Sequence, residues 1–117
     1  MVVRRPGDDL LGAHVSTQGG VARAPERGLA IGATAIQVFT KTPNQWREPA
    51  LEDDQIAAFR TALPASGIRA VVSHDSYLIN LASPDPTLRA RSIESFAREL
   101  ERCAALKLDY LVSHRAR

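Results

Sequence analysis

Residues 68–74 read IRAVVSH, a short apolar run that follows a proline and a glycine and ends on a histidine. Its length and its flanking turn residues predict a buried strand over residues 68–73. Three similar runs occupy residues 10–15 (LLGAHV), 33–39 (ATAIQVF) and 108–113 (LDYLVS). The sequence therefore predicts four short strands.

Helical signals separate the four runs. Residues 21–29 predict a short helix, and a second helix is predicted to begin after Pro49 and to end at Pro64 and Gly67. Residues 83–86 (SPDP) predict the start of a third helix. Six positions of this helix are predicted to form one buried face: Ile93, Phe96, Ala97, Leu100, Cys103 and Ala104.

The alternation of strands and helices is typical of βαβ units and a parallel sheet. Four strands and three helices amount to about half of a (β/α)8 barrel, whose usual length is about 250 residues. We therefore predict an α/β fold in which residues 1–117 form one incomplete barrel domain, truncated at the end of its fourth strand. Because its first and fourth strands would lack one neighbour each, we expect self-association through these open edges. The inner face predicted to lack an opposite wall includes Ile36, Val38, Val71 and Leu111.

The composition narrows the class of protein. Hydrophobic residues make up 44% and charged residues 24% of the chain, as in a globular protein. Apolar runs fall short of the roughly 20 residues that span a bilayer, so no membrane partner is expected. The basic N-terminus has no apolar core behind it, and Cys103 is the sole cysteine, so a cytoplasmic location is expected. A net charge of +2 means that DNA binding would need locally placed groups.

The three histidines of the chain each stand at the predicted carboxyl end of a strand: His14, His74 and His114. In parallel α/β barrels the functional groups gather at this rim. Three neutral imidazoles there suggest metal ligation. The alternative is that each histidine caps its strand by hydrogen bonding to a nearby loop.

Three groups of motifs resemble a known family. They are residues 12–16 (GAHVS) with the following glycine pair, residues 39–41 (FTK) with residues 45–47 (QWR), and residues 74–81 (HDSYLINL). These motifs are similar to those of endonuclease IV, an abasic-site DNA-repair nuclease. The resemblance covers nearly all of this chain but only the first half of that family's barrel.

The resemblance implies a xylose-isomerase-like TIM barrel that holds three zinc ions and cleaves double-stranded DNA on the 5′ side of abasic sites in base excision repair. Of the family's metal ligands, it implies that His74 and His114 are present here. His14 matches a rim histidine that we interpret as supporting the site rather than binding metal.

The resemblance also implies DNA contacts. Tyr77 and Leu78 match residues that enter the minor groove at the lesion, and Gln45 belongs to the neighbouring DNA-facing loop. Asn44 stands where the family usually has an arginine that fills the gap in the base stack. A half-buried core tyrosine is the alternative for Tyr77, and Trp46 is equally well interpreted as loop packing or as a stacking platform.

A second departure from the family follows His114, where Pro-Gly and another histidine are replaced by Arg115-Ala116-Arg117. A shifted reading frame or a premature stop would explain it, and the fragment alone is expected to be inactive. Two other interpretations stay open. One is a sugar isomerase or epimerase of the xylose-isomerase-like barrels, and the other is a non-catalytic half-barrel remnant.

Overall fold

The computed structural model of the chain describes residues 9–47 and 50–114. In chain order the elements are β1 (Gly12–His14), α1 (Arg23–Ala30), β2 (Ala35–Val38), α2 (Asp53–Ser66), β3 (Ala70–His74), α3 (Pro86–Leu106) and β4 (Tyr110–Val112). The strands form one parallel sheet in the order β1-β2-β3-β4. The predicted alternation and the parallel sheet are confirmed, although each strand begins two residues later than its apolar run. The predicted departure at residues 115–117 lies outside the described residues.

Local signals explain where the longer helices begin and end. The Asp85 carboxylate accepts a hydrogen bond from the Thr87 amide at 3.0 Å, and Pro86 occupies the first turn of α3. Gly67 ends α2 in the left-handed conformation with a φ of 78°. The prediction that Pro64 also ends α2 was wrong, because this exposed proline lies inside the helix, within its last turn. None of the described helices is both long and apolar enough to cross a membrane.

The hydrophobic core lies between the sheet and the helices. Phe59 on α2 is fully buried there, and Ile56 and Leu63, one turn before it and one turn after it on the same stripe, pack against the core. The same core contains the three strand residues Ile36, Val38 and Val71.

These positions correct the prediction for the inner face. Ile36, Val38 and Val71 are buried beneath the helices, and Leu111 pairs with Ser73, so it points to that same side. Side chains alternate along a strand, and when both faces carry apolar residues a one-residue error exchanges the two faces. The four residues therefore belong to the helix-covered face.

The opposite face of the sheet carries the alternate positions: Gly12, His14, Ala35, Gln37, Ala70, Val72, His74, Tyr110 and Val112. Close pairing of β1 with β2 requires a glycine here, since a Cβ on Gly12 would lie 2.3 Å from the carbonyl oxygen of Ala35. Tyr110 and Val112 are exposed on this face.

The predicted buried face of α3 was largely wrong. Ile93 is 55% exposed and Leu100 is 49% exposed, whereas the buried positions are Ser92, Ser95, Glu99, Arg102, Cys103 and Leu106. An apolar stripe indicates the buried side of a helix only when the surface opposite it is also apolar. The loops beneath α3 present polar groups instead.

The different burial of two apolar residues leads to a stability prediction. We expect Phe59→Ala to lower the free energy of unfolding by about 3–5 kcal/mol, because it leaves a cavity in the core. Ile93→Ala, on the exposed side of α3, is the control and should cost about 0.5 kcal/mol. Urea unfolding followed by circular dichroism measures both. Equal losses would mean that α3 buries the apolar stripe after all.

Candidate functional site

Parallel pairing brings histidines from different strands to one edge of the sheet. His74 is the last residue of β3, and His114 follows the end of β4. Their Nε2 atoms lie 3.2 Å apart and their ring centroids 5.2 Å apart. His14, the last residue of β1, joins them through Phe39, whose ring centroid lies 4.6 Å from that of His14 and 5.7 Å from that of His74.

The tautomer of His74 is set by its neighbour. Its Nδ1 lies 2.8 Å from the carbonyl oxygen of Asp75, and because a carbonyl only accepts, Nδ1 carries the proton. In the neutral form of the ring, the lone pair of Nε2 is then directed towards His114. The Asp75 carboxylate is itself buried and accepts a hydrogen bond from the Ser113 hydroxyl at 2.5 Å, which holds the residue after β3 against the residue after β4.

His14 has a different environment. The side-chain amide of Gln37 donates to its Nδ1 at 3.2 Å. Burial lowers the pKa of His14 below its ordinary value, and the positive charge that His74 can carry lowers it further. Both effects favour a neutral His14 ring, although its nitrogen atoms are not brought to the His74–His114 pair.

The histidine pair meets part of the geometric requirement for zinc. Two nitrogen ligands at about 2.0–2.1 Å from a tetrahedral ion are separated by about 3.3 Å, close to the distance between the two Nε2 atoms here. Such a site usually has three or four protein ligands. Within residues 9–47 and 50–114, no group of three or more His, Cys, Asp or Glu side chains could hold a metal ion. Among the described residues, the pair therefore provides fewer ligands than a zinc site usually has.

Two loops lie side by side next to the histidines. The carbonyl oxygen of Pro43 accepts hydrogen bonds from the Ser76 hydroxyl at 2.6 Å and from the Tyr77 amide at 2.8 Å. This contact places the exposed residues Asn44 and Gln45 close to the turn that carries Tyr77 and Leu78. The loops therefore bring together two pairs of residues that are separated by more than thirty positions in the sequence.

The side chain of Tyr77 is not in the core. It is 49% exposed, while its ring packs edge-on against Phe39 with centroids 5.3 Å apart. Leu78 is half-buried. Trp46 has the Arg91 guanidinium of α3 4.5 Å from its ring centroid, which favours the interpretation that Trp46 packs the loop in place.

A buried polar cluster behind these loops was not identified from the sequence. We call Thr40, Lys41, Glu99 and Arg102 the α3 polar cluster. Burial raises the pKa of the Glu99 carboxyl above its ordinary value, and the positive charges of Arg102 and Lys41 oppose that rise. The available signal was a polar stripe at helical spacing, Ser92, Ser95, Glu99 and Arg102, which competed with the apolar stripe beside it.

A parallel sheet that is covered by helices on one face and carries its polar residues at the carboxyl edge defines a segment of a (β/α)8 barrel. The family model described as xylose isomerase-like TIM barrel matches residues 26–117, and the chain belongs to this family. A probable endonuclease 4 from Chloroflexus aggregans is 48% identical over 103 residues, which cover 88% of this chain and 36% of that protein. The chain thus spans little more than a third of the length of this relative.

Solved structures show the same fold. Endonuclease IV from Thermus thermophilus superposes with a TM-score of 0.87 at 40% identity, over 92% of this chain and 40% of that one. A D-psicose 3-epimerase from Clostridium cellulolyticum superposes with a TM-score of 0.66 at 19% identity, over 90% of this chain and 37% of that one. The likeness to the epimerase concerns the fold alone, whereas the endonucleases are also similar in sequence.

Proposed function

We propose that this chain forms part of a metal-dependent endonuclease that cleaves double-stranded DNA on the 5′ side of abasic sites in base excision repair. The observation that carries the proposal is that the paired imidazoles of His74 and His114 lie at the same edge of the sheet as the half-exposed Tyr77. The sequence similarity to endonucleases 4 supports this activity over a sugar epimerase.

His74 and His114 are the residues that would hold zinc. Zinc, when bound, supplies positive charge that stabilises a phosphate and lowers the pKa of water. The hydrogen bond from His74 Nδ1 to the Asp75 carbonyl supports this role, because metal-binding histidines usually donate their second ring nitrogen in this way. His14, with its Nδ1 bound to Gln37, would line the rim without binding the ion.

The two adjoining loops would contact the DNA. Tyr77 and Leu78 would enter the minor groove, where an apolar wedge unstacks the bases and allows the abasic nucleotide to leave the helix. The exposure of Tyr77 supports this role. Asn44 and Gln45 would lie on the same side of the duplex, and the short Asn44 side chain would fill little of the gap in the stack.

The metal proposal predicts weak zinc uptake by the 117-residue chain, substoichiometric at micromolar metal, because two ligands leave the ion half-coordinated. His74→Ala with His114→Ala should abolish this uptake, and His14→Ala should retain it. Competition with a chromophoric chelator measures the bound zinc. Tight stoichiometric binding that survives the double substitution would refute the ligand assignment.

The DNA proposal predicts that Tyr77→Ala weakens binding to an abasic-site duplex by about tenfold, the loss expected for one aromatic contact to a base or gap. Binding to the undamaged duplex should change much less. Leu29→Ala is the control, since Leu29 on α1 is a large exposed hydrophobic residue outside the two loops and the sheet edges. Fluorescence anisotropy with labelled duplexes measures all three proteins. An equal loss on both duplexes would indicate a packing role for Tyr77.

The sheet edges support a proposal about assembly. Among the described residues β1 and β4 each pair on one side only, and both Leu11, just before β1, and Tyr110, the first residue of β4, are exposed. We expect the 117-residue chain to self-associate through these edges and to show no metal-dependent nicking of abasic DNA. Sedimentation at several concentrations tests the first expectation and a plasmid-nicking assay tests the second. A concentration-independent monomer contradicts self-association, and nicking by the chain contradicts its inactivity.

A further inference from the structure

Burying the charged residues of the α3 polar cluster is energetically unfavourable for a small fold. Glu99 is 0% exposed and Arg102 is 8% exposed, and burial removes most of the hydration that would stabilise their charged forms. Their attraction only partly offsets this loss, and buried ion pairs can often be replaced by apolar residues without loss of stability. Stability alone is therefore a weak reason for these residues.

The α3 polar cluster contacts the first of the two loops, which follows β2 and carries Asn44 and Gln45. Arg102 Nε donates to the Thr40 hydroxyl at 3.0 Å, and this hydroxyl lies 3.4 Å from Glu99 Oε2. Arg102 Nη2 also lies 3.1 Å from Glu99 Oε1. Thr40 begins the loop that leads to Asn44, and the next residue, Lys41, is buried and donates to the carbonyl oxygen of Gln45. One face of α3 thus holds the start of this loop, and Lys41 closes the loop on itself.

The same helix face also reaches the second loop. The amide of Asn80 donates to the Ser92 hydroxyl at 2.9 Å, which ties the loop after Tyr77 to the first half of α3. Since Ser76 and Tyr77 also bind the carbonyl of Pro43, both loops are fixed to α3 and to each other.

We propose that Glu99 and Arg102 are positioning residues, which act through Thr40 to hold the loop of Asn44 and Gln45 beside the loop of Tyr77 and Leu78, at the separation that recognises an abasic site. The role in DNA recognition rests on the proposed function. The positioning of the loops does not, so the two are tested by different measurements.

The test compares two double substitutions on α3. Glu99→Leu with Arg102→Met replaces the buried pair by apolar residues of similar volume. Glu94→Leu with Arg98→Met makes the same changes at an exposed ion pair, whose nitrogen and oxygen lie 2.9 Å apart. Both variants should keep the melting temperature within a few degrees, the first because a buried ion pair contributes little net stability and the second because an exposed pair contributes little.

Trp46, the sole tryptophan, lies within the first loop and reports its order. In the buried-pair variant we expect the acrylamide quenching constant of Trp46 to rise about twofold, as a loosened loop opens to solvent, and the control to be unchanged. Preference for the abasic over the undamaged duplex should fall about tenfold in the buried-pair variant alone, because misplaced contacts lose binding energy. Thr40→Val removes the bridging hydroxyl with little change of shape. Thr40→Val should therefore also raise the quenching constant of Trp46, and it tests the positioning role even if the double variant fails to fold.

Unchanged quenching of Trp46 in the folded variants would overturn the positioning role. Retained preference for the abasic duplex despite a loosened loop would overturn the role of this positioning in DNA recognition. If the unsubstituted chain itself shows no preference for the abasic duplex, the proposed function fails, and the quenching data still decide whether α3 positions the loops.

Discussion

The four strands pair in parallel, so their carboxyl ends meet along one edge of the sheet. Helices separate the strands in sequence, yet this arrangement brings His74 at the end of β3 within hydrogen-bonding distance of His114 after β4. The loops that follow β2 and β3 leave the same edge and share the carbonyl of Pro43. An antiparallel sheet of the same strands would send alternate ends to opposite edges and separate these groups.

A second layer of organisation depends on α3. This helix turns a polar stripe inward and leaves Ile93 and Leu100 exposed, which is the reverse of the usual surface helix. The polar stripe makes directional contacts: Arg102 donates a hydrogen bond to Thr40 in one loop, and Ser92 accepts one from Asn80 in the other. Apolar packing would hold the loops less specifically. Rigid placement of loops on a fixed scaffold is a common requirement for recognition.

The chain resembles both endonucleases and an epimerase in fold, which shows that this fold does not by itself determine the reaction. The sheet and its helices are shared with proteins of 19% and of 40% identity alike, and so this architecture alone does not choose a reaction. The choice depends on what stands at the carboxyl edge. Here an exposed tyrosine, Tyr77, and the uncharged Asn44 lie near the paired imidazoles of His74 and His114.

Local signals in the sequence were sufficient for the order of elements, the start of α3 at Asp85 and the placement of His74 at a strand end. These features depend on a few neighbouring residues, through capping, turn conformation and short apolar runs. Which face of each element is buried was decided only by the tertiary structure, as for Ile36 and Ile93. The ion pair of Glu99 with Arg102 is local to α3, but its partner Thr40 lies 59 positions from Glu99. Which residues are buried depends on such distant contacts. These contacts stabilise the fold only after the sheet has formed and brought the loops next to α3.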